Sequence, residues 1–167
     1  HAQADEDPPA DVTWTDMMPA DKHMMYAPDC VEKDGKYYLF TYVFFERGCV
    51  SVADRPEGPF KVIGTYQYAP EDAGDCGVYN DPGVLVDDDG RVYVYYGFEQ
   101  SNMNELDGND MCTVLPGSYR RVMPDTLDVP EERRFYEASS PRKINGTYYL
   151  IYSPRRGSRL AYATSNS

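Results

Sequence analysis

Three stretches decide the fold: Lys33-Asp34-Gly35-Lys36-Tyr37-Tyr38-Leu39-Phe40, Asp88-Asp89-Gly90-Arg91-Val92-Tyr93-Val94-Tyr95 and Ile144-Asn145-Gly146-Thr147-Tyr148-Tyr149-Leu150-Ile151. Each places Asp-Gly or Asn-Gly between a short strand-like segment and a tyrosine-rich run with aromatic or β-branched residues. A two-residue type I′ turn needs positive φ at both central positions, which these dipeptides tolerate, so each copy predicts a β-hairpin. Aligned on Gly35, Gly90 and Gly146, the copies stand 55 and 56 residues apart. A fixed period of this size points to repeated supersecondary units.

Working outward, Cys49 to Ala53 follows the first hairpin as a third strand, Pro56-Glu57-Gly58-Pro59 as a turn and Phe60 to Ile63 as a fourth strand. Leu160 to Ala163 repeats the third strand in the last unit. In the middle unit the polar, acidic stretch Glu99 to Asp110 reads as an insertion. It moves the equivalent strands to about Met111 to Val114 and Tyr119 to Val122. Four antiparallel strands per unit is the layout of a propeller blade. No stretch sustains a 3.6-residue apolar period, and 13 Pro with 13 Gly punctuate the chain at turn-like intervals. The expectation is an all-β propeller with about three blades in this chain. Residues 1–25 would be the tail of a first blade or a linker, 26–80 blade two, 81–136 blade three and 137–167 part of blade four.

Composition narrows the function. Among 167 residues, 16 are basic and 28 acidic, a net charge of −12, so nucleic acid is not an expected partner. The longest nearly apolar run, Tyr37 to Phe45, falls well short of the roughly 20 residues of a membrane-spanning helix, so no membrane partner is expected. The 41% hydrophobic content includes 16 Tyr, which bury a ring while offering a hydroxyl. Cys30, Cys49, Cys76 and Cys112 contain no Cys-x-x-Cys pair. Cys30 and Cys49 read as small core hydrophobes in strands; a disulfide involving Cys76 and Cys112 stays open. His1 and His23 are too isolated for a metal site or a catalytic triad. Asp87-Asp88-Asp89-Gly90 lacks the spacing and closing Glu of a calcium loop and reads as a hairpin turn. Asn145-Gly146-Thr147 fits a glycosylation acceptor but is accounted for by its turn.

Nine residues before each turn glycine stand Tyr26, Asp81 and Glu137. The first strands of propeller blades line the central axis, so this one structural position brings an aromatic ring and two carboxyl groups to a common mouth. Two carboxyls in unequal environments are what glycosidic cleavage needs, one protonated and one ionised. Tyr26 suits stacking on a sugar ring or packing in the core, and Arg155, beyond the last tyrosine-rich strand beside Arg156, could reach sugar hydroxyls or stand with Arg156 as an exposed loop pair. Asp29 reads as a structural carboxylate pinning a neighbouring loop.

Tyr26-Ala27-Pro28-Asp29 ahead of Asp34-Gly35, Asp81-Pro82 ahead of Asp87-Asp88-Asp89-Gly90, Tyr136-Glu137-Ala138-Ser139-Ser140 ahead of Asn145-Gly146, and Val52-Ala53-Asp54-Arg55-Pro56-Glu57-Gly58-Pro59-Phe60 together resemble glycoside hydrolase family 43. The resemblance spans about Tyr26 to Ser167. It implies a five-bladed β-propeller of inverting glycosidases acting on arabinose- and xylose-containing plant carbohydrates: α-L-arabinofuranosidases, β-xylosidases or arabinanases. It also implies Glu137 as general acid and Asp81 as the carboxylate that raises and orients it. No cofactor is implied as a requirement, and a structural calcium in the channel of the whole propeller is compatible with it.

The general base that the resemblance implies sits two repeats before Asp81, about thirty residues ahead of His1. Asp7-Pro8 is not followed by an apolar strand and does not replace it. The expectation is therefore a chain lacking its base, inactive in isolation and prone to self-association through unpaired blade edges. Both ends look like cuts, and no signal peptide is visible. A secreted or periplasmic location is expected over a cytoplasmic one. The competing readings are a carbohydrate-binding propeller module without turnover and a propeller for protein interaction, the latter giving no reason for acids in register at Asp81 and Glu137.

Overall fold

The computed structural model describes residues 25–43, 47–66, 80–123, 129–157 and 159–166. Among these, eleven strands form three antiparallel sheets. The first sheet joins β1 (Met25–Lys33), β2 (Lys36–Val43), β3 (Arg47–Ala53) and β4 (Lys61–Tyr66) in sequence order. The second joins β5 (Gly83–Val86), β6 (Val92–Tyr96), β7 (Asn102–Leu106) and β8 (Arg120–Arg121). The third joins β9 (Phe135–Ile144), β10 (Thr147–Pro154) and β11 (Ala161–Ser165). A single 3₁₀ turn, Glu131–Arg133, is the helical element among the described residues. The leading strands β1, β5 and β9 lie side by side, as in the blades of a propeller.

The outer hairpins turn as their dipeptides dictate. Asp34 and Gly35 have φ of 53° and 76°, and Asn145 and Gly146 have 51° and 80°, both residues left-handed as a type I′ turn requires. The middle hairpin differs from this expectation. Its extra aspartate lengthens the loop, so that Gly90 N–H bonds Asp87 O at 2.9 Å and only Gly90 is left-handed, at φ 83°. This is a type I turn closed by a glycine bulge. Asp88 N–H and Arg91 N–H are capped by the Asp87 and Asp89 carboxylates.

The core follows the two-residue period of the strands. Val92, Val94 and Tyr96 on β6, with Val84 on β5, face the first sheet and pack with Phe40, Tyr42, Val50 and Tyr66. Tyr93 and Tyr95 alternate to the other face, toward the third sheet.

Two expectations are corrected. The third strand of the middle blade is Asn102–Leu106, inside the supposed insertion, whereas Met111 to Val114 contributes a single bridge, Leu106 to Val114, and the buried Met111. The strand is disguised because its inward positions are Asn102 and Asn104, both fully buried. Their amide oxygens accept from Tyr119 Oη at 2.9 Å and Tyr96 Oη at 2.5 Å, which removes the cost of burying them. The fourth strand is reduced to Arg120–Arg121. The second correction is Cys30, which is exposed while Cys49 is fully buried. Cys30 takes the position opposite Val31, the residue of β1 that packs on the core. Burial pushes the Cys49 thiol up to about 11, so it stays a neutral packing group. Cys76, His1, His23 and Asp7-Pro8 lie outside the described residues.

Candidate active site

Glu137 and Asp81 meet where β9 and β5 run together. Asp81 precedes β5 and is itself left-handed, at φ 49°, a conformation that aspartate tolerates better than most residues. Glu137 pairs with Ser153 of β10 next to an irregularity in the ladder, and Ala138 there has φ 62°. A bulge of this kind re-aims the side chains that flank it. The same device recurs on β1, where the register shifts between Tyr26 and Asp29 and Ala27 has φ 43°.

The two acids are joined through the backbone. The amide of Ala138, directly after Glu137, donates to Asp81 Oδ2 at 3.1 Å. A close approach of strands makes this possible: a Cβ on Gly83 would sit 2.1 Å from the Ser139 carbonyl oxygen and 2.5 Å from Pro141, so only glycine fits. Burial raises the Glu137 carboxyl above the ordinary glutamate value, and the Asp81 charge raises it further. Burial also raises Asp81, partly offset by the Ala138 amide. Burial thus leads and like charge follows.

Other carboxylates of the inner strands are engaged in holding sheets together. Asp29 accepts the Val84 amide at 2.9 Å and pairs with Arg142 at 3.2 Å. One carboxylate of the first sheet thereby holds both the second and the third, a wider reach than pinning one neighbouring loop. Asp87 accepts from Lys143 Nζ at 2.5 Å and Tyr148 Oη at 2.6 Å, and Lys143 also meets Asp88 at 2.8 Å. An ammonium group therefore occupies the place a cation would take at this turn. Among the described residues, no group of three or more His, Cys, Asp or Glu is placed to hold a metal ion.

Tyr26 occupies the equivalent position of β1 and is 38% exposed. Arg155 pairs with Glu99 at 3.1 Å, and its amide donates to Arg134 O at 2.9 Å. Arg156 pairs with Glu131 at 2.5 Å.

Residues that the sequence reading passed over complete the rim. The loop joining β6 to β7 carries Phe98, whose ring lies 4.7 Å from that of Tyr136, the residue before Glu137. The signal was an aromatic residue standing just ahead of the polar stretch. A cavity of about 380 Å³ lies elsewhere, between the second and third sheets toward their hairpin turns. Tyr93, Tyr95, Met103, Tyr148 and Tyr149 help to line it, and Asp81 and Glu137 do not.

Similarity to known proteins bears on the fold. The family model of glycosyl hydrolases family 43 matches residues 5–165. A β-xylosidase of Xylanibacter ruminicola is 32% identical, over 94% of this chain and 56% of that protein. A xylosidase/arabinosidase of Thermoclostridium stercorarium is 37% identical over 88% of this chain and 34% of its own length. Among solved structures, an α-L-arabinofuranosidase from Clostridium thermocellum superposes with a TM-score of 0.69 at 29% identity, covering 86% of this chain and 48% of that one. A β-xylosidase/α-arabinofuranosidase from a compost metagenome, in complex with xylotriose, gives 0.69 at 27% identity over 86% and 53%. The chain belongs to glycoside hydrolase family 43, and its three sheets are part of that family's five-bladed propeller. It spans about half the length of the first relatives it matches.

Proposed function

We propose that the full-length gene product containing this chain is an inverting glycosidase acting on xylose- or arabinose-containing oligo- or polysaccharides. Glu137 is the general acid that protonates the leaving glycosidic oxygen. Asp81 positions it and disfavours its ionisation. The observation that carries this reading is the Asp81 carboxylate bonded to the amide that follows Glu137, with both carboxyls shifted upward. An acid whose ionisation is disfavoured by its surroundings is half of the pair that such cleavage needs. The other half, a carboxylate that activates water on the opposite face of the sugar, belongs to a blade other than those bearing Asp81 and Glu137. Tyr26, at the matching position of the first sheet, offers a ring face to the sugar. The reaction so read uses no cofactor, and a polysaccharide substrate suits a secreted or periplasmic enzyme.

Replacing Glu137 by Gln in the full-length gene product tests this reading. Hydrolysis of aryl xylosides and arabinofuranosides should fall by roughly 10²–10⁴. Undiminished turnover in that variant would sink the assignment, and oligosaccharide binding without any turnover by the wild type would favour a binding module.

For the 167-residue chain alone, we propose self-association through its third sheet, where Ile144, Leu160 and Tyr162 are 54%, 72% and 68% exposed. Sedimentation velocity should show concentration-dependent species, reduced by Leu160→Ser with Tyr162→Ser. A monomer at all concentrations would overturn it.

A further inference from the structure

The loop from Gly97 to Ser101 is built to hold one exposed aromatic ring beside the two acids. Gly97 has φ 136°, and a Cβ there would lie 1.8 Å from Gln100 O, so the turn admits only glycine. The Gly97 amide donates to Asn80 O at 2.9 Å, and the Glu99 amide donates to Tyr136 O at 2.7 Å. Asn80 precedes Asp81 and Tyr136 precedes Glu137, so the loop is bonded to the residue immediately before each acid. Glu99 is left-handed at φ 59°, a strained conformation for a non-glycine residue that persists only where its surroundings fix it. Its carboxylate meets Arg155, just past β10 of the third sheet. What this bracing presents is Phe98, 44% exposed and supported by the Tyr136 ring at 4.7 Å.

We propose that Phe98 is a sugar-stacking platform, and that Glu99 and Arg155 are positioning residues that hold it. The ring takes the apolar C–H face of a xylose or arabinose unit of the oligosaccharide next to the bond being cleaved. An aromatic face beside placed polar groups that fix the sugar's orientation is the usual makeup of such a subsite. The proposal rests on the glycosidase reading above and deepens it. Arg155 then acts through Glu99 rather than by touching sugar.

The test uses the full-length gene product with xylotriose and arabinotriose as substrates. Phe98→Ala should raise KM for the trisaccharide that is turned over about tenfold with kcat within about twofold, and Phe98→Trp should keep KM near wild type. Arg155→Ala should raise KM about threefold, with Arg155→Lys restoring it. An unmoved KM in Phe98→Ala, where Glu137→Gln abolishes hydrolysis, overturns the platform and leaves the glycosidase reading standing. A KM unmoved by Arg155→Ala overturns the positioning role. If Glu137→Gln keeps full turnover of aryl glycosides, the underlying reading falls and takes the platform with it; a wild type that cleaves aryl glycosides but neither trisaccharide overturns the platform alone.

Discussion

The second sheet touches a neighbour on each face, and the two interfaces are made differently. Toward the first sheet, aliphatic and aromatic side chains from both partners interlock, and Met111 and Val114 of the loop beyond β7 join the same cluster. Toward the third sheet the buried apolar cluster shrinks to Phe135, Leu150 and Tyr152. Directional contacts take over there: Lys143 on Asp87, the Ala138 amide on Asp81 and Arg155 on Glu99. That interface is tight where Gly83 meets Ser139 and open toward the turns, where the cavity lies. Both candidate acids belong to the tight, polar end. Apolar packing is non-directional and tolerates sliding, whereas hydrogen bonds fix one geometry. The first interface therefore supplies stability, and the second supplies placement.

Mutations can break this contrast. The largest effect is expected for Phe40→Ala in the first interface, about 3–5 kcal/mol by denaturant unfolding, against about 2 kcal/mol for Leu150→Ala, which already borders the cavity. Equal losses would erase the distinction between the two faces. Gly83→Ala should cost about 3 kcal/mol, since its methyl group meets main chain that has little room to yield. It should also lower activity in the full-length gene product, because the same contact sets the Asp81 to Ala138 bond.

Acid should loosen the second interface selectively. Burial raises the Asp87 carboxyl, but hydrogen bonds from Lys143, Tyr148 and the Asp88 amide outweigh it and hold the group below the ordinary aspartate value of 3.8. A depressed carboxylate contributes stability that is fully present above the unfolded value and is lost as pH falls through the folded one. Hydrogen exchange in β9 to β11 should rise over that window ahead of exchange in β2 to β4, and Asp87→Asn should remove the pH dependence. The smallest effect concerns the acids themselves. Asp81→Asn keeps the acceptor for the Ala138 amide and deletes the charge, so the Glu137 carboxyl should ionise at lower pH. The alkaline limb of the kcat/KM profile should move down, and a limb that stays in place would mean that burial alone tunes Glu137.

The sequence was legible where the cause was local. Asp34-Gly35 and Asn145-Gly146 specify their own turns, and counting back nine residues through strands of fixed period put Asp81 and Glu137 in one register. It was opaque where the partner was remote. Asn102 and Asn104 look like loop residues until Tyr119 and Tyr96 are seen to satisfy them. Phe98 carries only a faint local signal, an aromatic residue just ahead of a polar stretch, because its meaning comes from Tyr136, which lies in another sheet. Nor does the spacing of Arg155 reveal Glu99 as its partner.

The reach of Arg142 to Asp29 has a geometric consequence. The two residues belong to sheets with another sheet between them, so the ion pair is a chord across an arc, anchored midway by the Val84 amide. A partly exposed ion pair contributes little energy, so the chord registers the bend of the arc and adds to it only weakly; the bend itself is carried by the direct packing of β1 on β5 and of β5 on β9. The chord spans the arc on which one acid is turned toward the other, and its length reads out their convergence.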